Sequence, residues 1–467
     1  MLVALAAAGT LALVTGCHGG THPSETAATS ATRPSASPAS TERAERPGTT
    51  PSATPSGTTI RLVDGDGRDV PVTWYDMKTA RDAAPSNDFS VVSRLQTTGT
   101  CTDTLAPGAL FDDGAWFTGV TPGAACSWQG DGPLPASDRV GVVQEGSTTA
   151  HLWASTVTLV PGDHHRQVTR STVSGDWAVW SETESTDLYY DNWRVFAADR
   201  RTGKPHVVAT AEEFTGGKKL PFYEATYTIY QDRVFWSTTP ASVAGTQKAF
   251  EPEVVSKAIS GKGAIDVVAK AGDQPVTTDS GVVVRTSSKL RVNDTDDTDS
   301  PDVKKETIST GFSLVTAHGL QPLLRISPTG PIDRDQEPSA VAAHGNTLAF
   351  AVGDTEYLYD LATGTAVGFR GAGHEIAVPD AREGDSDAES EASTINSSAV
   401  TGSFATWTFG GGSGSLKAPV LVYDLKSNTL RRTWVKHNGG DVWAAGGYVG
   451  WRSIGQDSST TTLTAWR

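Results

Sequence analysis

From Leu110 to the C-terminus, short apolar runs alternate with clusters of Gly, Asp, Asn and Thr. The clearest unit spans Val173 to Ala209. VSGDWAVWSE reads as a turn and a strand ending on Trp180. NWRVFAADRRTGKPHVVA supplies a strand through Val195, a DxxTG turn and a closing strand at Val207 and Val208. Degenerate copies follow, and self-similarity of this kind decides the fold class before any single element does.

The first strand of the unit carries a large apolar residue five positions after a Gly, Asp or Gln. The copies are Asp112 to Phe117, Gly175 to Trp180, Gln231 to Trp236, Asp279 to Val284, Gly345 to Phe350, Gly402 to Trp407 and Gly446 to Trp451, which makes seven units. The second half recurs as Asp199–Gly203, Asp360–Gly364 and Asp424–Asn428, each after an apolar strand. In such a turn the Asp side chain bonds the backbone ahead of it, and Gly or Asn takes the positive-φ position. The repeated ring is expected to fill the space between adjacent sheets. No 3.6-residue period runs through these units, so a helical solenoid is excluded.

Multi-stranded units of about 40–60 residues are the pattern of propeller blades. After Trp451 the last unit supplies only Thr460–Trp466, so its outer strand is missing. TTIRLVDGDGRDVPVTWY (58–75) reads as two strands around a DGDG turn and is expected to complete that sheet. Residues 76–96 are expected to hold one short helix around Met77–Ala84. The fold expected over 58–467 is therefore all-β: a propeller of seven four-stranded antiparallel blades, with six or eight as alternatives because the first and fourth copies are weak, its ring closed by N-terminal strands.

Composition agrees, with 48 Gly and 25 Pro in 467 residues. The formal net charge is −15. Residues 1–17 carry no charged side chain and 18–57 are balanced, so the acidic excess lies on the body. Such a body has no electrostatic reason to follow a phosphate backbone, which argues against nucleic acid as a partner.

Residues 1–17, MLVALAAAGTLALVTGC, are apolar but too short to span a bilayer. Their end, Val14-Thr15-Gly16-Cys17, resembles the bacterial lipobox, although the basic residue usual at the start of a signal peptide is missing. The resemblance implies lipidation at Cys17 and a place at the extracytoplasmic face of the cell membrane. Residues 18–57, rich in Ser, Thr, Ala and Pro, cannot bury a core and read as a disordered tether. As a coil they would reach roughly 35 Å. Cys101 and Cys126 are left, and in an exported protein they are expected to form a disulfide.

Residues 110–467 resemble extracytoplasmic bacterial propellers of the TolB-like or WD40-like kind, which implies partner binding. A narrower likeness is to the quinoprotein-type docking motif AxDxxTGKxxW. It is met at Ala197, Asp199, Thr202, Gly203 and Lys204, while Val207 stands in place of the tryptophan. In that family the tryptophan docks one blade on the next, and the motif occurs without the quinone, so it implies geometry and no cofactor.

Candidate chemistry is sparse. The acidic runs at 292–302 and 380–393 lack EF-hand spacing, and Asp64, Asp66 and Asp69 suit a turn better than a calcium loop. His164-His165 follows a Pro-Gly turn signal and has no third ligand in its motif. Ser413 lies in FGGGSGS rather than in a nucleophile elbow. No catalytic, metal-binding or cofactor-binding residue is singled out. The function expected is a membrane-anchored extracytoplasmic binding or scaffolding module for a protein or glycan of the cell envelope. The alternative is a hydrolase, lyase or quinoprotein-like enzyme with its site at the central channel.

Overall fold

The computed structural model describes residues 60–98, 102–123, 136–137, 139–157, 159–160, 166–184, 192–223, 225–246, 248, 250–287, 310–328, 337–371, 395–409, 418–435, 438–454 and 458–467. Four N-terminal strands come first: β1 (Ile60–Asp64), β2 (Val72–Asp76), β3 (Arg81–Asp82) and β4 (Phe89–Thr98). Blade 1 holds β5 (Thr104–Leu110), β6 (Trp116–Thr121), β7 (Val140–Val143) and β8 (Ala150–Leu152). Blade 2 holds β9 (Arg166–Ser174), β10 (Trp177–Glu184), β11 (Arg194–Asp199) and β12 (His206–Thr210), and blade 3 holds β13 (Tyr227–Tyr230), β14 (Arg233–Thr238), β15 (Glu253–Ala258) and β16 (Asp266–Ala269). Blade 4 follows with β17 (Gly272–Thr278), β18 (Gly281–Ser287), β19 (Thr310–Thr316) and β20 (Gly319–Pro328). Blade 5 is β21 (Ser339–His344), β22 (Thr347–Val352), β23 (Thr355–Asp360) and β24 (Thr365–Arg370). Blade 6 is β25 (Ile395–Val400), β26 (Phe404–Phe409), β27 (Ala418–Asp424) and β28 (Thr429–Val435). Blade 7 takes β29 (Asn438–Ala445), β30 (Tyr448–Ile454) and β31 (Ser458–Trp466) from the C-terminus.

The first strand of each blade touches the first strand of the next, and β29 touches β5, so the ring is closed around these seven strands. The seven anchors read from the repeat fall on the second strands: Phe117, Trp180, Trp236, Val284, Phe350, Trp407 and Trp451, all buried. Several bridge neighbouring blades through ring contacts. Centroids lie 5.4 Å apart for Phe117–Trp180, 5.4 Å for Trp193–Trp236, 4.9 Å for Phe312–Phe350 and 4.8 Å for Phe369–Trp407. Burying one such ring is worth about 1.5–3 kcal/mol, and a ring pair adds about 0.5–1.5 kcal/mol. The core is thus a set of seams between sheets.

Closure is achieved by an N-terminal strand, but by a different one from that expected. The fourth strand of blade 7 is β4, antiparallel to β31 from Phe89↔Trp466 to Thr98↔Ser458. Nor do β1 and β2 form a hairpin. β1 adds antiparallel to β20 on blade 4, β2 adds parallel to β24 on blade 5, and the two-residue β3 adds parallel to β28 on blade 6. Three blades therefore carry a fifth, outermost strand. The chain winds along the rim of blades 4, 5 and 6 before it closes blade 7. The DGDG turn does fold the chain back, with Val63 bridged to Asp69 and Asp64 accepting from the Asp66 and Arg68 amides (3.0 and 2.8 Å), but β2 then leaves for blade 5 instead of pairing with β1. The helix expected around Met77–Ala84 is a single 3₁₀ turn, Met77–Thr79, started by Asp76.

Candidate binding face and central channel

In an antiparallel blade, the turns joining strands one to two and three to four lie on one face of the ring. The connections from two to three, and from each blade to the next, lie on the other. The first face is made of tight turns. Asp199, Asp360 and Asp424 each accept the amide two residues on, at 2.9, 2.8 and 2.9 Å. Gly203, Gly364 and Asn428 take the positive φ (59°, 67° and 54°). Neighbouring blades are also stitched together here. Arg200 of blade 2 pairs with Asp176 (3.1 Å) and reaches Asp113 of blade 1 (2.8 Å). Gly446 donates to Asp112 at 3.1 Å, Tyr448 donates to Glu145 at 2.8 Å, and the Asp279 amide donates to the Gly345 carbonyl at 2.8 Å.

Val207, where the docking motif has tryptophan, packs half-buried in the seam of blades 1 and 2. The ring in that seam comes from the other side. Trp153, which follows β8, lies so close to Gly203 that a Cβ there would meet its Cδ1 at 2.7 Å.

The opposite face receives the long connections. Residues 288–309, 372–394 and 410–417, which include both acidic runs and the Gly-rich stretch, join strand ends on this side. So do the segments that contain Cys101, Cys126 and His164-His165. These residues, like Cys17, the apolar stretch 1–17 and the stretch 18–57, lie outside the described residues. Among the described residues, seven large apolar side chains are exposed. Leu159, Phe222 and Ile454 belong to this face, Trp74, Val91, Leu152 and Val267 sit on outer strands, and none lies in a turn of the tight face.

Two buried polar groups lie at strand ends on this face. In blade 4, Arg285 and Asp273 form a buried ion pair, with Nε donating to Oδ1 at 2.6 Å. Tyr223, from the connection into blade 3, donates to Asp273 at 2.7 Å, and Arg285 also reaches the Pro338 carbonyl at the start of blade 5. Burial acts to lower the Arg285 pKa, but the charge and hydrogen bonds of Asp273 outweigh it and raise it. The pair fixes the mouth across three blades. Glu253, at the start of β15, has its carboxyl pushed up by burial, with the Ala241 amide and Lys270 opposing.

Inside the channel the first strands slip register, at Pro107/Ala109, Asp273/Val276, Ser339/Ala342, Ile395/Ser397 and Gly439/Val442. Gln274 and Ala340 adopt positive φ (46° and 50°) in two of these bulges. Bulges re-aim side chains. Arg170 of blade 2 is half-buried: burial lowers its pKa, while Asp441 of blade 7 and Tyr227 of blade 3 act to raise it. Asp441 itself pairs with Arg452 at 3.4 Å. None of these residues stands out in the sequence, because they meet only when distant blades close the ring. The carboxylates at and after the DGDG turn are taken up locally: Asp66 pairs with Arg68 at 3.0 Å and Asp69 with Arg61.

No protein-family model matches the chain, and no curated protein matches it. Solved structures similar to it include BamB from Moraxella catarrhalis, at 10% identity over 78% of this chain and 86% of that one, with a TM-score of 0.38. A puromycin-hydrolysing peptidase from Mycobacterium tuberculosis is similar at 13% identity over 82% of this chain and 54% of that one, with a TM-score of 0.45. Citrobacter koseri AztD is similar at 9% identity over 85% and 90%, with a TM-score of 0.33. At these levels the likenesses carry no functional argument.

Proposed function

We propose that this propeller is an extracytoplasmic binding module, tethered to the membrane through Cys17, whose long-connection face receives a protein or glycan of the cell envelope. The observation that carries the reading is the division of labour between the two faces. Tight, cross-stitched turns close one side, while every long connection and three exposed apolar side chains gather on the other. Connections held on a rigid scaffold are where recognition is usually placed. The stretch 380–393 carries six acids against one arginine, and 292–302 five acids with no base, so the partner favoured is basic, or bridged by a cation.

The test uses the Cys17→Ser chain. It should leave the membrane fraction and shed the lipid mass. As bait it should retain one or a few envelope proteins or glycans, released as salt is raised. Retention at the membrane with unchanged mass would contradict the anchor. A turnover signal abolished by Asp441→Asn or Arg170→Lys would contradict the binding reading and favour an enzyme with its site at the channel.

A further inference from the structure

Glu356 lies on β23, the third strand of blade 5, and its side chain is fully buried in the seam with blade 6. Its cross-strand neighbours are Ala351 on β22 and Phe369 on β24. From blade 6, Ser398 on β25 is its hydrogen-bond partner at 2.9 Å. Ser398 stands opposite Trp407 on β26, and the Trp407 ring rests on Phe369 at 4.8 Å. The rest of the seam is apolar: Ala349, Leu358, Ile395, Phe409 and Leu421. Among the described residues, none of these strands turns a charged side chain toward the carboxyl. Oε1 of Glu356 and Nε1 of Trp407, both buried, have no hydrogen-bond partner among the described residues.

An ionised carboxylate held by a single hydroxyl would be an uncompensated charge in an apolar seam, whereas a neutral acid can donate to the Ser398 hydroxyl, which accepts as readily as it donates. We propose that Glu356 is a proton-binding site that locks blade 5 to blade 6, so that loss of its proton loosens this seam. The inference goes beyond the binding reading and does not depend on it.

Burial raises the pKa of Glu356 well above the ordinary 4.5, with Ser398 opposing. The sign follows. With a folded-state pKa above the unfolded one, the contribution to stability is fully present below about pH 4.5. It is lost progressively as pH rises toward the folded-state value. Glu253 tilts stability the same way, so the informative quantity is the difference between wild type and a variant. Thermal unfolding of the full chain, wild type and Glu356→Gln, is compared from pH 5 to 8. The melting temperature of the wild type should fall relative to the variant by on the order of 1–2 °C per pH unit. Parallel profiles would overturn the proposal. Should Glu356→Gln fail to fold, Glu356→Leu removes the proton site and the polar atoms together and serves the same comparison. Carboxyl ¹³C titration in a Glu253→Gln background is the second readout. One glutamate that titrates well above the others supports the site, and ordinary titration of every glutamate refutes it.

Discussion

The two faces of this ring are built from the same strands and do opposite things with the chain between them. On the tight face the turns are short, several are tied by an Asp carboxylate, and side chains cross to the next blade. Arg200 to Asp113 and Tyr448 to Glu145 are examples. On the other face the connections lengthen without disturbing the blades. Gly216 and Gly217 close the short helix Ala211–Thr215, and a Cβ on either would meet nothing within 4 Å. The difference teaches that the seams and one set of turns hold the fold, which leaves the second set free to vary. Loop length costs little once the ends are fixed, because closure entropy grows only with its logarithm.

The largest effect is expected from undoing the ring on which both faces depend. Deleting 89–98 strips blade 7 of its fourth strand and bares the edge of β31. Differential scanning calorimetry should show no cooperative transition near that of the wild type, and light scattering should show aggregation. Deleting 18–57 should move the transition by no more than about 1 °C, because those residues contain too little apolar surface to join a core. Equal behaviour of the two deletions would mean that β4 does not close the ring.

A pair of glycines contrasts the faces directly. Gly446 on the tight face has φ of 53°, and a Cβ there would strike the Asp112 carbonyl oxygen at 2.4 Å. Gly446→Ala should cost about 2–4 kcal/mol, combining backbone strain with a displaced seam. Gly217 also has a positive φ, 86°, but open space around it. Gly217→Ala should cost about 1 kcal/mol, the backbone term alone. Denaturant titration reads both, and equal losses would remove the contrast.

Asp88 tests the tight face where the rim strand turns from blade 6 into blade 7. Its carboxylate is held by Arg81, by the Ala84 amide at 2.8 Å and by Arg431 at 3.3 Å. The Arg81 hydrogen bonds and the Ala84 amide, working against burial, bring its pKa down to about 2. A depressed folded-state value adds stability above the unfolded value of 3.8, which is lost as pH falls through about 2. Arg81 is half exposed, so solvent trims the gain to about 1–2 kcal/mol. Asp88→Asn should lower stability by that amount at pH 7 and flatten the fall between pH 4 and 2. An unchanged acid limb would show that the clasp is idle.

The sequence shows the parts of this architecture that repeat locally and hides the parts that depend on distant strands meeting. The anchors at Trp180, Trp236, Phe350 and Trp407 and the turns at Asp199, Asp360 and Asp424 are set by residues a few positions apart, so their chemistry is readable without coordinates. The closing strand is not. β1 and β2 look like a hairpin because DGDG is a hairpin signal, yet edges of blades 4 and 5 offer each of them a longer partner. β4 lacks a repeat signature because it is the fourth strand of a blade whose other three strands lie at the far end of the chain. The channel was equally illegible. Arg170 and Asp441 are 271 positions apart in sequence, and Glu356 reads as one more acid beside a turn until Ser398 and Trp407 fold over it.

The smallest effect on stability is expected on the variable face. Neutralising the six acids of 380–393 to their amides should leave the melting temperature within about 1 °C, because that stretch has too little apolar surface to join a core. The same variant should hold its partner less tightly at low salt. A large loss of stability would place that segment in the core rather than on a recognition surface.

The most direct test of the division between the faces is site-specific photo-crosslinking in intact cells. A photoreactive side chain is placed at Phe222, exposed on the long-connection face, or at His344, exposed in a turn of the tight face. Adducts of defined mass should arise from position 222 and be absent from position 344. Adducts formed only at 344 would put the partner on the stitched face and contradict the account.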